Sequence, residues 1–206
     1  SRGLGYVYKR QLIDYSDQTL DPAIDQSIFP NTRASFYWSN TWDGGELRNI
    51  SFYNGQEYTA STNKNHLVRA VRGDAIPTPD IQQSGEVVSD ATTGLMWLTA
   101  SADTNNNGTV DESDMLNWQQ ALAYCENLNF ATYDDWRMPN INEFRFSSTT
   151  GSLWPYTKDR TWSSTTDKNY LTAAWYFHPE RSSVSGDFNK TSENYVTCVR
   201  GGYEGK

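Results

Sequence analysis

Apolar and polar positions alternate in short bursts along most of this chain rather than in long helical stretches. Between Phe29 and Gly73 the bursts cover 35–38, 50–53 and 66–71, set apart by Gly44-Gly45 and Asn54-Gly55. Their aromatic and β-branched content predicts antiparallel strands, with Asn54-Gly55 as a two-residue hairpin turn. A second series opens at Gly85, where residues 86–90 and 95–98 flank a turn at 90–94. The helical period is sustained in one place: Trp118, Leu122, Cys125 and Leu128 share a face and predict a helix over about 114–128. Shorter helices are expected over 9–16 and 141–144, the second just after Pro139.

The outline of the chain recurs. Phe29-Pro30-Asn31-Thr32 answers Trp154-Pro155-Tyr156-Thr157, and Tyr37-Trp38-Ser39-Asn40-Thr41 answers Thr161-Trp162-Ser163-Ser164-Thr165. Leu67-Val68-Arg69-Ala70-Val71-Arg72-Gly73 then answers Tyr195-Val196-Thr197-Cys198-Val199-Arg200-Gly201. Fixed ends around an unmatched middle imply one supersecondary unit used twice, with anchored scaffold at the ends and a free surface between them. The expected organisation is a partial first copy over 1–73, a Pro-containing linker over 74–85 and a complete domain over 86–206. The opening strands and main helix of the second copy have no counterpart in the first.

Composition narrows the class. With 36% hydrophobic and 14% aromatic residues among 206, the chain is lean in aliphatics, as a protein of many short strands and polar loops is. No apolar run is long enough for a membrane span. The net charge of −8 is uneven: residues 1–73 hold 8 basic against 7 acidic side chains, and residues 74–206 hold 9 against 18. An acidic second part repels polyanions, which argues against nucleic acid as a partner. The two cysteines, Cys125 and Cys198, fall together in the second copy, and Ala70 stands where the first copy would carry one. A disulfide internal to the second copy or two separate buried thiols would each account for the pair. Their joint occurrence favours the disulfide and an oxidising, extracellular setting.

One loop carries metal chemistry in its spacing. Asp103, Asn105, Asn107, Thr109, Asp111 and Asp114 stand at positions 1, 3, 5, 7, 9 and 12 of a calcium-type loop, with Gly108 at the sharp turn and Val110 at the apolar eighth position. Calcium takes six to eight oxygens, and this register supplies them from side chains and from the Thr109 carbonyl. Asp114 replaces the usual glutamate with a shorter carboxylate. The expected role of the ion is structural: neutralising clustered carboxylates at the start of the main helix. Arg137, beside Asp134 and Asp135, reads as a buried ion-pair hub.

The consecutive motifs at 88–97, 118–128 and 133–140, with Trp162-Ser163-Ser164-Thr165 and Cys198-Val199-Arg200-Gly201-Gly202, resemble the C-terminal domain family of the Legionella collagen-like adhesin over residues 86–203. Residues 8–73 look like the latter half of a second copy. The resemblance implies an α+β fold related to C-type lectins, with short helices packed on a loop-rich antiparallel sheet. It associates the founding domain with sulfated glycosaminoglycans. The layout is also similar to the variable proteins of diversity-generating retroelements, which vary exposed residues near the C-terminus on a fixed scaffold. That similarity marks Thr166, Lys168, Asn169, Tyr170, Tyr176, His178, Glu180, Arg181, Ser183, Ser185, Asp187, Phe188 and Asn189 as candidate contact residues, rich in types that give adaptable hydrogen bonds and rigid aromatic area.

The expected function is therefore non-catalytic recognition of a protein or glycan on a cell or virus surface, with Ca2+ holding the scaffold. A fixed adhesin and a structural spacer in a surface fibre are the alternatives. An enzyme would have to use His66, His178 or the cysteines, and no nucleophile elbow accompanies them. The sequence leaves the oligomeric state open.

Overall fold

The computed structural model describes residues 12–14, 21–43, 45–70, 80–148, 159–167, 169–179 and 183–202. By internal packing the chain divides into two units, Ser1–Ile76 with Asp167–Leu171, and Pro77–Thr166 with Thr172–Lys206.

In the first unit, β1 (Phe36–Asp43), β2 (Glu46–Ser51) and β3 (Glu57–Ala60) form an antiparallel sheet in that order. Tyr37 pairs with Ile50, and both side chains turn inward onto Ile13, Ala23, Ile24 and Phe52. The Asn54-Gly55 turn is wider than the expected two-residue hairpin. Ser51 N–H donates to the Gln56 carbonyl (2.9 Å) and Gly55 N–H to the Ser51 carbonyl (2.8 Å), because the Asn54 side chain takes the Gln56 N–H (3.0 Å). The strand expected over 66–71 is reduced to one parallel bridge, Tyr37 with Leu67. Of the helix expected over 9–16, only 12–14 lie among the described residues, and they are not helical.

In the second unit, β4 (Ile81–Ser84), β5 (Val87–Asp90), β6 (Leu95–Leu98) and β12 (Val199–Gly201) make a four-stranded sheet in the order β12-β6-β5-β4. The β5–β6 hairpin closes at the expected 90–94 turn. Asp90 is buried there, accepting from Thr92 N–H (2.9 Å) and the Thr93 hydroxyl (2.7 Å). Ile81–Ser84, which the sequence reading placed within the 74–85 linker, instead runs as an edge strand paired with β5. β8 (Thr161–Thr166), β9 (Ala173–His178) and β10 (Ser183–Asn189) form a second antiparallel sheet with β9 central, and β7 (Leu116–Asn117) pairs with β11 (Glu193–Asn194).

Two short helices complete the described secondary structure: α1 (Trp118–Glu126) and α2 (Ile141–Ser148). The main helix starts at Trp118, not near Asp114 as expected. Asn117 and Gln120 form a reciprocal capping box, with Gln120 N–H to Asn117 Oδ1 at 3.0 Å and Asn117 N–H to Gln120 Oε1 at 3.1 Å. Residues 116–117 are held extended by β11, and Asp114 belongs to a preceding short turn, Glu112–Asp114. α1 buries Ala121 and Cys125, one turn apart, with Trp118 and Leu122 packed beside them.

The expected α+β arrangement related to C-type lectins is corrected by these elements. Among the described residues the fold is mostly β, with twelve short strands in four sheets and only two small helices, not a helix layer on a single sheet. The physical reason lies in the core. Trp136, Met138, Trp162, Ala174, Val196 and Cys198, from strands and connecting segments, supply most of the buried cluster that α1 covers. Indole N–H groups are satisfied by backbone: Trp162 donates to Leu116 O (2.9 Å), Trp118 to Ser163 O (2.8 Å) and Trp136 to Phe130 O (3.1 Å). On the other face of β9, Phe177 stacks on Phe144 of α2 at 5.2 Å, and Phe144 also meets Trp97.

Cys125 and Cys198 are joined in a disulfide with Cα atoms 5.6 Å apart, as their joint occurrence led one to expect. The expected Arg137 hub is different in its partners. Arg137 makes a two-pronged pair with Glu143 (2.6 and 2.9 Å) and donates to Gly201 O, while Asp135 is taken by Arg200 (2.6 and 3.0 Å). Arg137 is partly exposed rather than buried. β-strand register explains the exchange: Arg137 pairs across to Val199, so its neighbour Asp135 sits within reach of Arg200.

The units share a bonding pattern at the positions the sequence matched. Trp38 N–H donates to Leu67 O (2.9 Å) and Leu67 N–H to Phe36 O (2.9 Å). Trp162 N–H donates to Tyr195 O (3.0 Å) and Tyr195 N–H to Arg160 O (3.1 Å). Each strand also carries a register shift at the same offset, between Trp38 and Trp42 and between Trp162 and Thr166.

Candidate functional site

The residues between Trp162 and Cys198 separate into buried anchors and exposed connections. Trp162, Ser163, Cys198 and Val199 are fully buried, whereas Tyr170 is 62% and Leu171 66% exposed. Asn169 and Tyr170 lie in a tight loop after β8, where both backbone N–H groups donate to Asp167 Oδ1 (2.7 and 3.2 Å). The loop is thus shaped by one buried carboxylate while its side chains face water.

The central residues of the segment are drawn into one cluster. Cross-strand pairing puts Tyr176 opposite Trp162 and Phe188 opposite Ala174. Phe188 consequently meets Trp162 edge-on at 5.5 Å and Tyr176 at 5.4 Å. The Arg160 guanidinium lies over both rings, 4.9 Å from Phe188 and 5.7 Å from Tyr176. Tyr176 and Phe188 are therefore half-buried, working in the scaffold as well as facing outward. His178 is at the far end of β9, opposite Ser183, and its Nδ1 is buried without a hydrogen-bond partner.

Thr166 and Asn189 serve the frame. The Lys190 ammonium donates to the Thr166 hydroxyl (2.8 Å) and lies 4.1 Å from the centre of the Trp118 ring; burial lowers its pKa. Asn189 Oδ1 accepts from Thr191 N–H and hydroxyl, closing the turn after β10. Lys168, Glu180 and Arg181 lie outside the described residues; Ser183, Ser185 and Asp187 are described only as strand backbone. Sequence reasoning missed Arg160, Leu171 and Lys190. Arg160 was legible, two residues before Trp162 and so on the same strand face; Lys190 had no such signal.

The acidic loop folds around its own carboxylates. Asp103 accepts from Asn107 N–H (3.1 Å) and Gly108 N–H (2.7 Å), and Gly108 has φ +84°, the left-handed conformation glycine adopts cheaply. Asn105 and Asn107 each accept from the backbone two residues on (3.0 and 2.8 Å), and Asp111 takes Ser113 N–H and hydroxyl, which lower its pKa. Asp114 is fully buried and accepts from Thr104, Asn105 and Asp111 N–H. Thr109 enters by its place in the turn. Among the described residues no three His, Cys, Asp or Glu side chains converge as a metal site. An ion here would draw on Asn105, Asn107 and backbone oxygens as well as on Asp103 and Asp114, and these donors are all hard oxygens of the kind calcium takes.

Among the described residues no helix is long and apolar enough to cross a membrane. No curated protein matches the chain. The sequence model of the Lcl C-terminal domain matches residues 86–200, more than half of the chain, from the start of the β5–β6 hairpin to β12. The chain belongs to the Lcl C-terminal domain family, whose members are surface-associated, adhesin-type domains without catalytic function.

Proposed function

We propose that this protein is a recognition module that contacts a protein or glycan on a cell or virus surface through the exposed loop at 169–171. The observation that carries this reading is the split in exposure: the anchors Trp162 and Cys198 are sealed, while Tyr170 and Leu171 stand free in water. Adjacent exposed aromatic and aliphatic side chains on a loop pinned by Asp167 offer contact area at little ordering cost. The retained wild-type chain and a Tyr170→Ala/Leu171→Ala variant are to be compared on arrays of cell-surface proteins and glycans. Hits lost by a variant that melts like the wild type support the reading; hits shared by both, or none, overturn it.

We further propose that the exposed positions of this segment are diversified. Sequencing the gene across natural populations should find variation concentrated at 166–189, with Trp162 and Cys198 fixed. An invariant segment returns the chain to a fixed adhesin, the reading closest to its family, in an extracellular setting that suits the disulfide.

In the same reading, the 103–114 loop holds Ca2+ and thereby fixes the entry to α1. Saturating calcium would then raise the melting temperature and EDTA lower it, with about 2.7 kcal/mol of stabilisation at a hundredfold excess over Kd. Equal melting in both buffers removes the ion from the account. The first unit is, in this proposal, a partial copy of the second, supported by the matched bonds at Trp38 and Trp162.

A further inference from the structure

We propose that a groove beside the acidic loop is a binding site for an uncharged saccharide unit. The groove encloses about 490 Å³, within the range of small-ligand sites. The chain leaving β6 lines one part of it, and Tyr124 of α1 with the segment after the helix lines another. Two aromatic side chains, Tyr124 and Phe130, contribute to the lining, and so does Val110, which is left 41% exposed. Asn129 and Glu86 supply polar groups, and Ser101, only 4% exposed, has a hydroxyl with no hydrogen-bond partner.

The lining is preorganised. Phe130 and Tyr133 exchange backbone hydrogen bonds (2.9 and 3.0 Å), and the Phe130 ring packs edge-on against Trp136 at 6.3 Å. Ala102 N–H bonds Val196 O at 2.8 Å, next to the disulfide-linked core. Aromatic side chains together with amide, hydroxyl and carboxylate groups suit a sugar ring, which presents C–H faces and a rim of hydroxyls.

Charge selects within that class. No Lys, Arg or His lines the groove, and its two charged residues, Glu86 and Asp103, are acidic. A sulfated or carboxylated unit would be repelled. Trilysine tests charge alone: Glu86 is exposed and screened, and Asp103 is committed to its own loop, through backbone N–H groups and through the Ca2+ proposed there.

This inference rests on the chain being a recognition module but uses residues separate from the β8–β10 segment, so the two can fail independently. The test is a titration of the isotopically labelled 206-residue chain, in calcium buffer, followed by amide NMR. The probes are neutral β-glucan, mannan and galactan tetrasaccharides, a sulfated disaccharide and trilysine. A neutral tetrasaccharide is expected to saturate shifts at 99–102 and 128–130. The exposed Asn129→Ala should weaken it several-fold with unchanged melting, and Tyr124→Ala, half-buried against the core and so read at a temperature well below its own lowered midpoint, roughly tenfold, while Tyr170→Ala binds as wild type. No saturation by any neutral probe at millimolar concentration overturns the proposal. So does preference for the sulfated probe or trilysine, or binding indifferent to both groove variants. Loss of array binding in the Tyr170→Ala/Leu171→Ala variant alongside a silent groove would leave the recognition reading standing without this site.

Discussion

Removing the disulfide gives the sharpest energetic test of the fold. Cys125 and Cys198 are 73 residues apart in sequence and both fully buried, in a cluster with Ala121, Trp136, Met138, Trp162 and Val196. Closing a loop of that length in the unfolded chain removes conformational entropy worth about 4.4 kcal/mol at 25 °C in the chain-entropy treatment. The Cys125→Ala/Cys198→Ala variant avoids burying new polar atoms, so the loss should fall near that figure, and melting should drop by roughly 10–20 °C. Urea titration read by tryptophan fluorescence suits the measurement, because Trp136 and Trp162 belong to the same buried cluster. The wild-type chain pretreated with reductant should match the variant. A loss below about 1 kcal/mol in both would refute the reasoning, since it would mean that the residual core already confines the two segments without the covalent tie.

Three further outcomes follow from single residues. Gly201 has φ +67° and a Cβ there would lie 2.6 Å from the Gly94 carbonyl oxygen, so Gly201→Ala should cost about 2 kcal/mol or more in denaturant titration, by strain and by prising β12 from β6. Asn117→Ala breaks the capping box of α1 and should cost about 1 kcal/mol, readable as a lower urea midpoint and reduced helical circular dichroism. The hydrogen bonds from Arg200 hold the Asp135 carboxyl below its ordinary 3.8. Its contribution is complete above 3.8 and is lost as pH falls through the lower folded value. The urea midpoint should accordingly decline on the acid side of 3.8, and Asp135→Asn should flatten that limb; superimposable acid limbs would exclude the pair as a source of the decline.

Features encoded within a few residues were legible in the sequence, and those set by distant partners were not. The β5–β6 hairpin could be read because Asp90 satisfies its own turn. The disulfide could be read because the two cysteines occur together in one copy. The helix start was misplaced because Asp114 and Asn117 are both residues that cap helices; what decides between them is the pairing of Leu116 and Asn117 with Asn194 and Glu193, far along the chain. The same holds for fold class. Val199 opposite Trp97 and Arg137 opposite Val199 are non-local pairings, and they divide the strands into several small sheets where a single sheet under helices was expected. Ile81–Ser84 is an edge strand with three exposed residues, so it carries no alternating pattern to find. Among the contact candidates, side-chain type alone could not distinguish Tyr170, which is exposed, from Tyr176, which strand register turns toward Phe188 and Arg160.

The matched clamps bear on how much the turns between them can change in length, since the same segments also carry buried residues such as Ile50, Phe52, Trp175 and Phe177. Thirty residues separate Tyr37 from Leu67 and 34 separate Thr161 from Tyr195, yet the flanking hydrogen bonds differ in length by no more than 0.2 Å. Polymer statistics account for the indifference to length: extending a closed loop from 30 to 34 residues costs only about 0.1 kcal/mol. The clamp itself is not forgiving, because Leu67 both donates to Phe36 and accepts from Trp38. Inserting four Gly/Ser residues in the turn at 61–64 should therefore lower stability by less than about 1 kcal/mol. Leu67→Pro, which deletes the donor, should lower it by about 3 kcal/mol. Comparable losses in the two variants, by urea titration, would mean that the turn at 61–64 is held as tightly as the clamp and cannot vary in length.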